Sequence, residues 1–307
     1  METNERLRRL AFEVGYRMLG SAAEADDVAQ ETLLRLHSAA AADNDEAFAT
    51  TVATRLSIDV LRSARVRREQ YVGEWLPEPL VELAAAPAVA AASPPDPAAR
   101  VEADETISLA FLALLERLSP EERAVLVLRE AFGYGYDEIG AVLDKGEPAC
   151  RQLLSRARRR VDAERPRFDA DAERRDALAA RFLDAARGGD LDGLVALLAD
   201  DVVLVGDGGG KARALPRPFV GVAAVGKALA AFVRIGVEQR VTFTAATVNG
   251  QPGLLIHDAD GALAAVMGLD VADGRIARVN SVVNPDKLAR LGTRSTLALR
   301  PSARRGG

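Results

Sequence analysis

Cysteine, histidine and aromatic side chains are scarce in this 307-residue chain, and the scarcity excludes several kinds of protein. There is one cysteine, Cys150, and there are two histidines, His37 and His257. A disulfide framework cannot form within one chain, and a zinc site needs three or four such ligands close together. No run of about 20 apolar residues exists to span a bilayer. The first residues, Met1 to Arg6, lack the apolar stretch of a signal peptide, so a reducing cytoplasm is the expected home. A positive surplus is missing too: formal net charge is -5, and any nucleic-acid role has to come from local charge. What is abundant is Ala, Leu and Val, enough for two or three small domains with cores.

The chain falls into three blocks with two seams. Residues 1–70 read as helices. Leu7, Leu10, Phe12, Val14 and Met18 recur at roughly helical spacing. Ser21 and Glu24 form a capping box that starts a second helix carrying Val28, Leu33, Leu34 and Leu36. A third helix is expected from about Glu46 to Arg68, with Phe48, Val52, Leu56 and Val60 on one face. Residues 71–104 are broken by Pro77, Pro79, Pro87, Pro94, Pro95 and Pro97 and read as an acidic linker. Residues 105–168 are helical again. Ser119, Pro120 and Glu122 supply an N-cap, a first-turn proline and a capping-box acid.

Residues 169–291 change kind. Helices from Ala172 to Arg187 and from Asp190 to Leu198 precede strand-like alternation from Val241 to Val283. Turns at Asn249-Gly250, Asp258–Gly261 and Asp273-Gly274 divide it. The pattern predicts an α+β domain with a curved antiparallel sheet. The basic, Ser-rich residues 292–307 read as a disordered tail.

Tyr136–Val161 carries the strongest chemical signal. Two short helices joined by a tight Gly-containing turn follow the helix-turn-helix plan. The second helix is basic. Arg151 and Gln152 near its start are placed for base edges, and Arg156, Arg158, Arg159 and Arg160 for phosphates. A second basic patch, Arg55, Arg62, Arg65, Arg67 and Arg68 with Asp59 among them, lies on the third helix. Alone, each patch also fits an ordinary solvated face. Two such patches joined by a flexible linker suit a protein that grips two separated DNA sites.

Over most of residues 1–165 the sequence resembles the extracytoplasmic-function sigma factors of bacterial RNA polymerase. Asp26-Asp27-Val28-Ala29-Gln30-Glu31-Thr32 resembles the family's region 2.2. The resemblance implies that Asp26, Asp27, Gln30 and Glu31 dock on the coiled coil of the polymerase β′ subunit. Phe48 through Arg62 resembles regions 2.3 and 2.4, which melt and read the −10 element. That implies DNA roles for Phe48, Arg55, Asp59, Arg62 and Arg65, although the family often has Trp in place of Phe48 and Asn in place of Arg55. Leu118–Arg160 resembles region 4, which reads the −35 element and touches the β flap. Arg151, Gln152, Ser155, Arg156, Arg158 and Arg159 are its expected DNA contacts.

Three further motifs are similar to a sigma-J-like subgroup with a C-terminal SnoaL-like domain of cone fold: Trp75-Leu76-Pro77-Glu78-Pro79, Asp207-Gly208-Gly209-Gly210-Lys211 and Asn284-Pro285-Asp286-Lys287-Leu288. The implied architecture is multidomain, with two all-α sigma domains followed by an α+β cone. Trp75, Pro77, Asp207, Lys211, Asn284, Asp286 and Lys287 are the expected regulatory contacts. Trp75, the only tryptophan, is expected to dock near the two loops, with packing against the third helix as the alternative.

The Asp207–Lys211 loop is not a P-loop, because Val205 stands where the first Gly belongs and Ala212 where Ser or Thr belongs. The expected function is promoter-specific initiation controlled by the C-terminal domain, with core polymerase and promoter DNA as partners. No catalytic residue, metal or cofactor is expected, and the cone leaves room for a small-molecule ligand. Two alternatives stay open. One is a cyclase-like enzyme using His257 or Asp258 as a general base. The other is a repressor that binds DNA without polymerase.

Overall fold

The structure is a computed structural model that describes residues 2–38, 44–69, 71–83, 107–162, 169 and 171–297. The rest of the linker, the residues beyond 297, and the side chains of Arg65, Arg67 and Arg68 lie outside the described residues. The chain divides into two compact units, residues 1–70 with 111–165, and residues 71–110 with 166–307.

The first unit is all helical: α1 (Glu2–Leu19), α2 (Ala22–Ser38), α3 (Asp45–Glu69), α4 (Leu109–Leu115), α5 (Pro120–Glu130), α6 (Tyr136–Leu143) and α7 (Glu147–Val161). The first two residues of α4 belong to the second unit. Helices α1 and α2 approach closely at Gly15, where a Cβ would sit 3.2 Å from the Ala25 Cα. Ser21 caps α2 as expected, its hydroxyl accepting from the Glu24 N–H at 3.2 Å. Two expected apolar faces are corrected. Leu34 points outward and is 59% exposed, and α3 buries a stripe of small residues, Ala49, Ala53 and Ser57 with Ile58 and Leu61. Phe48, Val52, Leu56 and Val60 are only half-buried. Small side chains let α3 pack tightly, and periodicity in large apolar residues points to the wrong side of such a helix.

The second unit carries a seven-stranded sheet in the order β1-β4-β5-β6-β7-β2-β3. Its strands are β1 (Val81–Leu83), β2 (Leu198–Asp207), β3 (Phe219–Val220), β4 (Thr242–Val248), β5 (Gln251–His257), β6 (Leu263–Ala272) and β7 (Arg275–Val282). Helices α8 (Ala172–Gly188), α9 (Leu191–Ala196) and α10 (Val222–Glu238) complete it. Phe182 of α8, Leu194 of α9 and Leu229 of α10 bury against Leu204, Leu254, Met267 and Leu269 of the sheet. The Asn249-Gly250 and Asp273-Gly274 turns form as expected, all four residues at positive φ.

The sheet departs from the sequence expectation in three ways. It is not purely antiparallel, since β2 runs parallel to β7. Residues 71–83 are not a free linker: they lie on this domain, and β1 extends the sheet edge by pairing with β4. Residues just past Gly292 also pack on the sheet. Ser295 N–H donates to the Leu263 carbonyl at 2.9 Å, and Ser295 is buried.

One buried acid gives this unit a pH signature. Asp270 of β6 is fully buried, and burial pushes its pKa up to about 6 despite Arg278 and the Asn280 amide. The folded state therefore holds a proton more tightly than the unfolded chain. Its stability rises as pH falls from above 6 towards the ordinary carboxylate range. Asp270→Asn is expected to raise the unfolding temperature at pH 8 and to flatten this slope, a gain of about 2–3 kcal/mol at most. Thermal melts at pH 5 and pH 8 check it.

Candidate functional sites: a helix-turn-helix, an acidic face and a buried latch

Local chemistry builds the helix-turn-helix. Ser119 caps α5 in a reciprocal pair, with its hydroxyl accepting from Glu122 N–H at 3.3 Å and its own N–H donating to the Glu122 carboxylate at 3.0 Å. Helix α6 ends on Asp144 in the left-handed region, at φ 53°. Gly140 makes the turn possible, because a Cβ there would sit 2.5 Å from the Lys145 carbonyl oxygen. Gly146 then caps α7, with Pro148 in its first turn.

Helix α7 buries Cys150, Leu153, Leu154, Ala157 and Val161. The opposite face exposes Arg151, Gln152, Ser155, Arg156, Arg158 and Arg159, so one surface carries every residue singled out for −35 contacts. Arg151 pairs with Glu147 at 2.6 Å and lies over the Tyr136 ring, 4.9 Å from its centroid. Those contacts hold its guanidinium at the start of the helix. Arg158 pairs with Glu130 at 3.0 Å.

Glu122 ties this domain together, and its role as an ion-pair hub was not read from the sequence. It is 3% exposed and accepts from Arg160 at 2.6 Å and Arg156 at 3.3 Å, besides its capping bonds. Burial alone would raise its pKa, but the Ser119 bonds and the two arginines outweigh that and lower it. The contribution is present above the unfolded carboxylate pKa and is lost as pH falls through the lower folded value. Glu122→Ala is expected to destabilise the first unit by about 1–2 kcal/mol, mostly through the lost capping bonds, because its two arginine partners on α7 are about half exposed and are solvated when the carboxylate goes. Glu122→Gln, which keeps part of the cap, is expected to lose less. Urea melts followed by circular dichroism check both.

On α2, Asp27 and Gln30 are exposed and Glu31 half-buried. Leu34 stands one turn further along the same face. Asp26 is engaged by Arg8 at 3.2 Å and Glu31 by Arg35 at 2.8 Å. The surface is thus acidic and polar with one exposed leucine at its end. Sequence reading had assigned Leu34 to the core.

On α3, Asp59 and Arg62 are exposed. Arg62 lies 3.4 Å from Glu121 and 3.6 Å from Asp59. Arg55 does not point freely outward. Its Nε donates to the Val142 carbonyl at 2.8 Å, and its Nη2 reaches the Ala141 carbonyl and both Asp144 carboxylate oxygens. It closes the C-terminal end of α6, where cations are favoured.

The three remaining motifs meet at one place in the second unit. Asp207, at the end of β2, has no exposed surface. Its carboxylate accepts from Tyr71 hydroxyl at 2.5 Å, Leu76 N–H at 2.9 Å, Gly209 N–H at 3.0 Å and Lys287 ammonium at 2.7 Å. The ammonium also donates to the Leu76 carbonyl and lies 4.4 Å from the centroid of the Trp75 ring and 5.0 Å from that of Tyr71. Asn284 donates to the Tyr71 hydroxyl at 2.8 Å. Burial first, and the Asp207 carboxylate second, push the Tyr71 phenol above the ordinary tyrosine range, so it stays a donor.

Lys211 and Asp286 pair at 2.5 Å across the two loops. Gly209 is needed for their approach: its φ is 56°, and a Cβ there would fall 2.2 Å from the Asn284 amide nitrogen. Pro77 is buried beside this cluster. The strap continues to Leu80, whose N–H and carbonyl both bond Asn249, each at 2.9 Å.

Trp75 therefore packs at the two loops. Sequence reasoning missed Tyr71 and Asn249. The first sits just before the proline-rich stretch, and the second had been read only as a turn former. The general-base candidates fare differently. His257 and Asp258 are absent from the lining of the domain's cavity. Asp258 is half-buried, and the Ser295 hydroxyl and the N–H groups of Ala262 and Asp260 lower its pKa, so it organises a turn. Among the described residues no group of three or more His, Cys, Asp and Glu could hold a metal ion. No described helix is long and apolar enough to cross a membrane.

Comparison with known proteins agrees with this arrangement. Residues 4–67 match Sigma-70 region 2, residues 108–161 match Sigma-70, region 4, and residues 179–279 match a SnoaL-like domain. The chain is 36% identical over 292 residues to the ECF RNA polymerase sigma factor SigJ of Mycobacterium tuberculosis, covering 92% of this chain and 91% of the relative. It is 31% identical over 285 residues to the "Probable ECF RNA polymerase sigma factor SigI" of the same species, covering 92% of each. The crystal structure of M. tuberculosis SigJ superposes with a TM-score of 0.72 at 33% identity, over 93% of this chain and 96% of that one.

A region 2 helical domain joined to a region 4 helix-turn-helix defines a promoter-recognition subunit of RNA polymerase, a sigma factor. The chain belongs to the extracytoplasmic-function sigma factors, and to the SigJ-like group among them that carries a SnoaL-like domain. It directs promoter-specific transcription initiation, and the SnoaL-like domain is its regulatory part.

Proposed function

We propose that the domain carries out this control by holding the segment that joins regions 2 and 4. The single observation behind this reading is the buried Asp207, whose carboxylate takes four donors, two of them from the segment itself. The acidic linker has to run through the polymerase between the two promoter elements. While Tyr71–Leu83 is strapped to the cone, that path is not open. The described linker residues then alternate between two partners, the cone and the polymerase.

The other roles follow from chemistry. The α2 face of Asp27, Gln30 and Glu31, with Asp26 and Leu34, suits the β′ coiled coil, and the region 4 domain suits the β flap. Phe48, Arg55, Asp59, Arg62 and Arg65 face the −10 element, for which Arg55 exchanges the α6 carbonyls for DNA. Arg151, Gln152 and Ser155 meet −35 base edges, and Arg156, Arg158 and Arg159 its phosphates. The protein acts in the cytoplasm as a non-catalytic subunit. The apolar cavity, whose lining includes neither His257 nor Asp258, supports that over an enzyme.

The test is run-off transcription with purified core polymerase, comparing the full chain with one ending at Asp169. A transcript that requires the protein and changes on truncation is the expected result. Failure of both chains to bind core polymerase would overturn the reading. In the same assay, Arg151→Ala and Gln152→Ala are each expected to cost about 5- to 150-fold at the cognate −35 element, from about 1–3 kcal/mol per bidentate base contact. Arg159→Ala should weaken all promoters alike and reduce the salt slope by about one.

A further inference from the structure

The second unit contains a cavity of about 260 Å³ between the sheet and helices α8 and α10. Its wall is apolar, built from residues such as Phe182, Leu229, Phe232, Phe243 and Met267. Among the described residues two polar side chains line it, Arg213 and Ser281. Ser281 is inside: it is buried, and the register sets it between Gly206 and Met267, which also line the cavity. Arg213 is at the rim, exposed to solvent, and it has no ion pair or hydrogen bond among the described residues. Phe232 and Ile235, 38% and 44% exposed, flank the opening.

Such a site has a definite ligand chemistry. Apolar cavities stay dry and take apolar molecules, and this one approaches the lower end, about 300 Å³, of small-molecule pockets. The interior offers no charge, so an ion cannot be carried inside. The one cation among the described lining residues stands at the mouth, where a planar guanidinium binds a carboxylate with two parallel hydrogen bonds. The complementary molecule is an apolar body ending in a carboxylate.

The wall is continuous with the latch. Gly206 lines the cavity and is followed by Asp207, and Val283 lines it and is followed by Asn284. Arg213, Ala214 and Leu215 line it directly after the Gly208–Lys211 loop. Both latch loops thus hang from residues that an occupant touches.

We propose that this cavity binds a small apolar carboxylate, seated with its acid group on Arg213, and that occupancy is read by the Asp207–Lys287 latch. The second clause rests on the reading of Tyr71–Leu83 as a held linker, whereas the first does not.

The test uses the full chain, with decanoate and decanol as probes, by calorimetry and by emission of Trp75. Trp75 is the only tryptophan and lies against Lys287 of the latch. Saturable decanoate binding with a change in Trp75 emission is expected. Arg213→Ala should weaken decanoate about 10- to 100-fold, the worth of hydrogen bonds to a charged group, and leave decanol unchanged. Absence of saturable decanoate binding overturns the site, as does equal binding by the Arg213→Ala variant. Calorimetric binding with unaltered Trp75 emission overturns the link to the latch. Run-off transcription without probe tests the sigma mechanism separately.

Discussion

Asp207→Ala is expected to release the linker from the C-terminal domain and to destabilise that domain by about 3–5 kcal/mol. The carboxylate is fully buried and neutralises Lys287, whose side chain is only 13% exposed. Truncation takes the buried carboxylate away from that ammonium, which lies against two aromatic rings, and leaves the Tyr71 hydroxyl and the Leu76 N–H without that acceptor. The cost of such a change is mostly the uncompensated charge, so the partner's removal should relieve it. Asp207→Ala with Lys287→Met is therefore expected to be less destabilised than Asp207→Ala alone, which a double-mutant cycle measures directly. Hydrogen exchange then reads the linker: amides of residues 71–83 should lose protection in Asp207→Ala while β5 and β6 keep theirs. Unchanged protection at Leu76 and Leu80 would falsify the latch. Lys211→Ala is a useful contrast, since its pair with Asp286 is more than half exposed and should matter little.

The latch shows what the sequence could and could not reveal. The three motifs were visible as odd chemistry: a tryptophan just ahead of two prolines, a Gly-rich loop that fails as a P-loop, and an Asn-Pro-Asp-Lys turn. Their meeting was an inference from opposite charges, because the contacts span separations of 75 to 213 residues. Short-range patterns were dependable where capping or turn chemistry fixes the backbone locally, as at Ser119–Glu122, Asn249-Gly250 and Asp273-Gly274. They failed where tertiary context decides. Helix α10 and strand β2 were passed over; Leu198–Asp207 carries two acids, Asp200 and Asp201, near its start and ends in Gly206-Asp207, and its burial comes from pairing with β7. The linker strand β1 is three residues long and exists only because β4 offers an edge. Helix α3 was oriented wrongly because Ala49, Ala53 and Ser57 are core by size and fit, a feature hydrophobic periodicity does not weigh. Glu122 was recognised as a cap and not as an ion-pair hub, because Arg156 and Arg160 lie a whole helix-turn-helix away.

If the linker must leave the cone before initiation, a covalent staple across β1 and β4 should stop transcription. Glu82 and Thr247 stand directly opposite one another in the antiparallel register, one exposed and the other half-buried. Such pairs have Cα atoms about 4.5–5.5 Å apart, within the range a disulfide bridges. The native Cys150 does not compete, since it is buried and burial pushes its thiol up, away from the reactive thiolate. The Glu82→Cys, Thr247→Cys variant is expected to support run-off transcription when reduced and to fall to the level of core polymerase alone when oxidised. Each single-cysteine variant should ignore the redox state. Recovery on adding reductant separates a locked linker from a damaged protein. Full activity of the oxidised form, with the bond confirmed by mass, would mean that the strapped segment already leaves the polymerase path open. Control by the SnoaL-like domain would then have to act somewhere other than on the linker, and the carboxylate cavity would need a different listener.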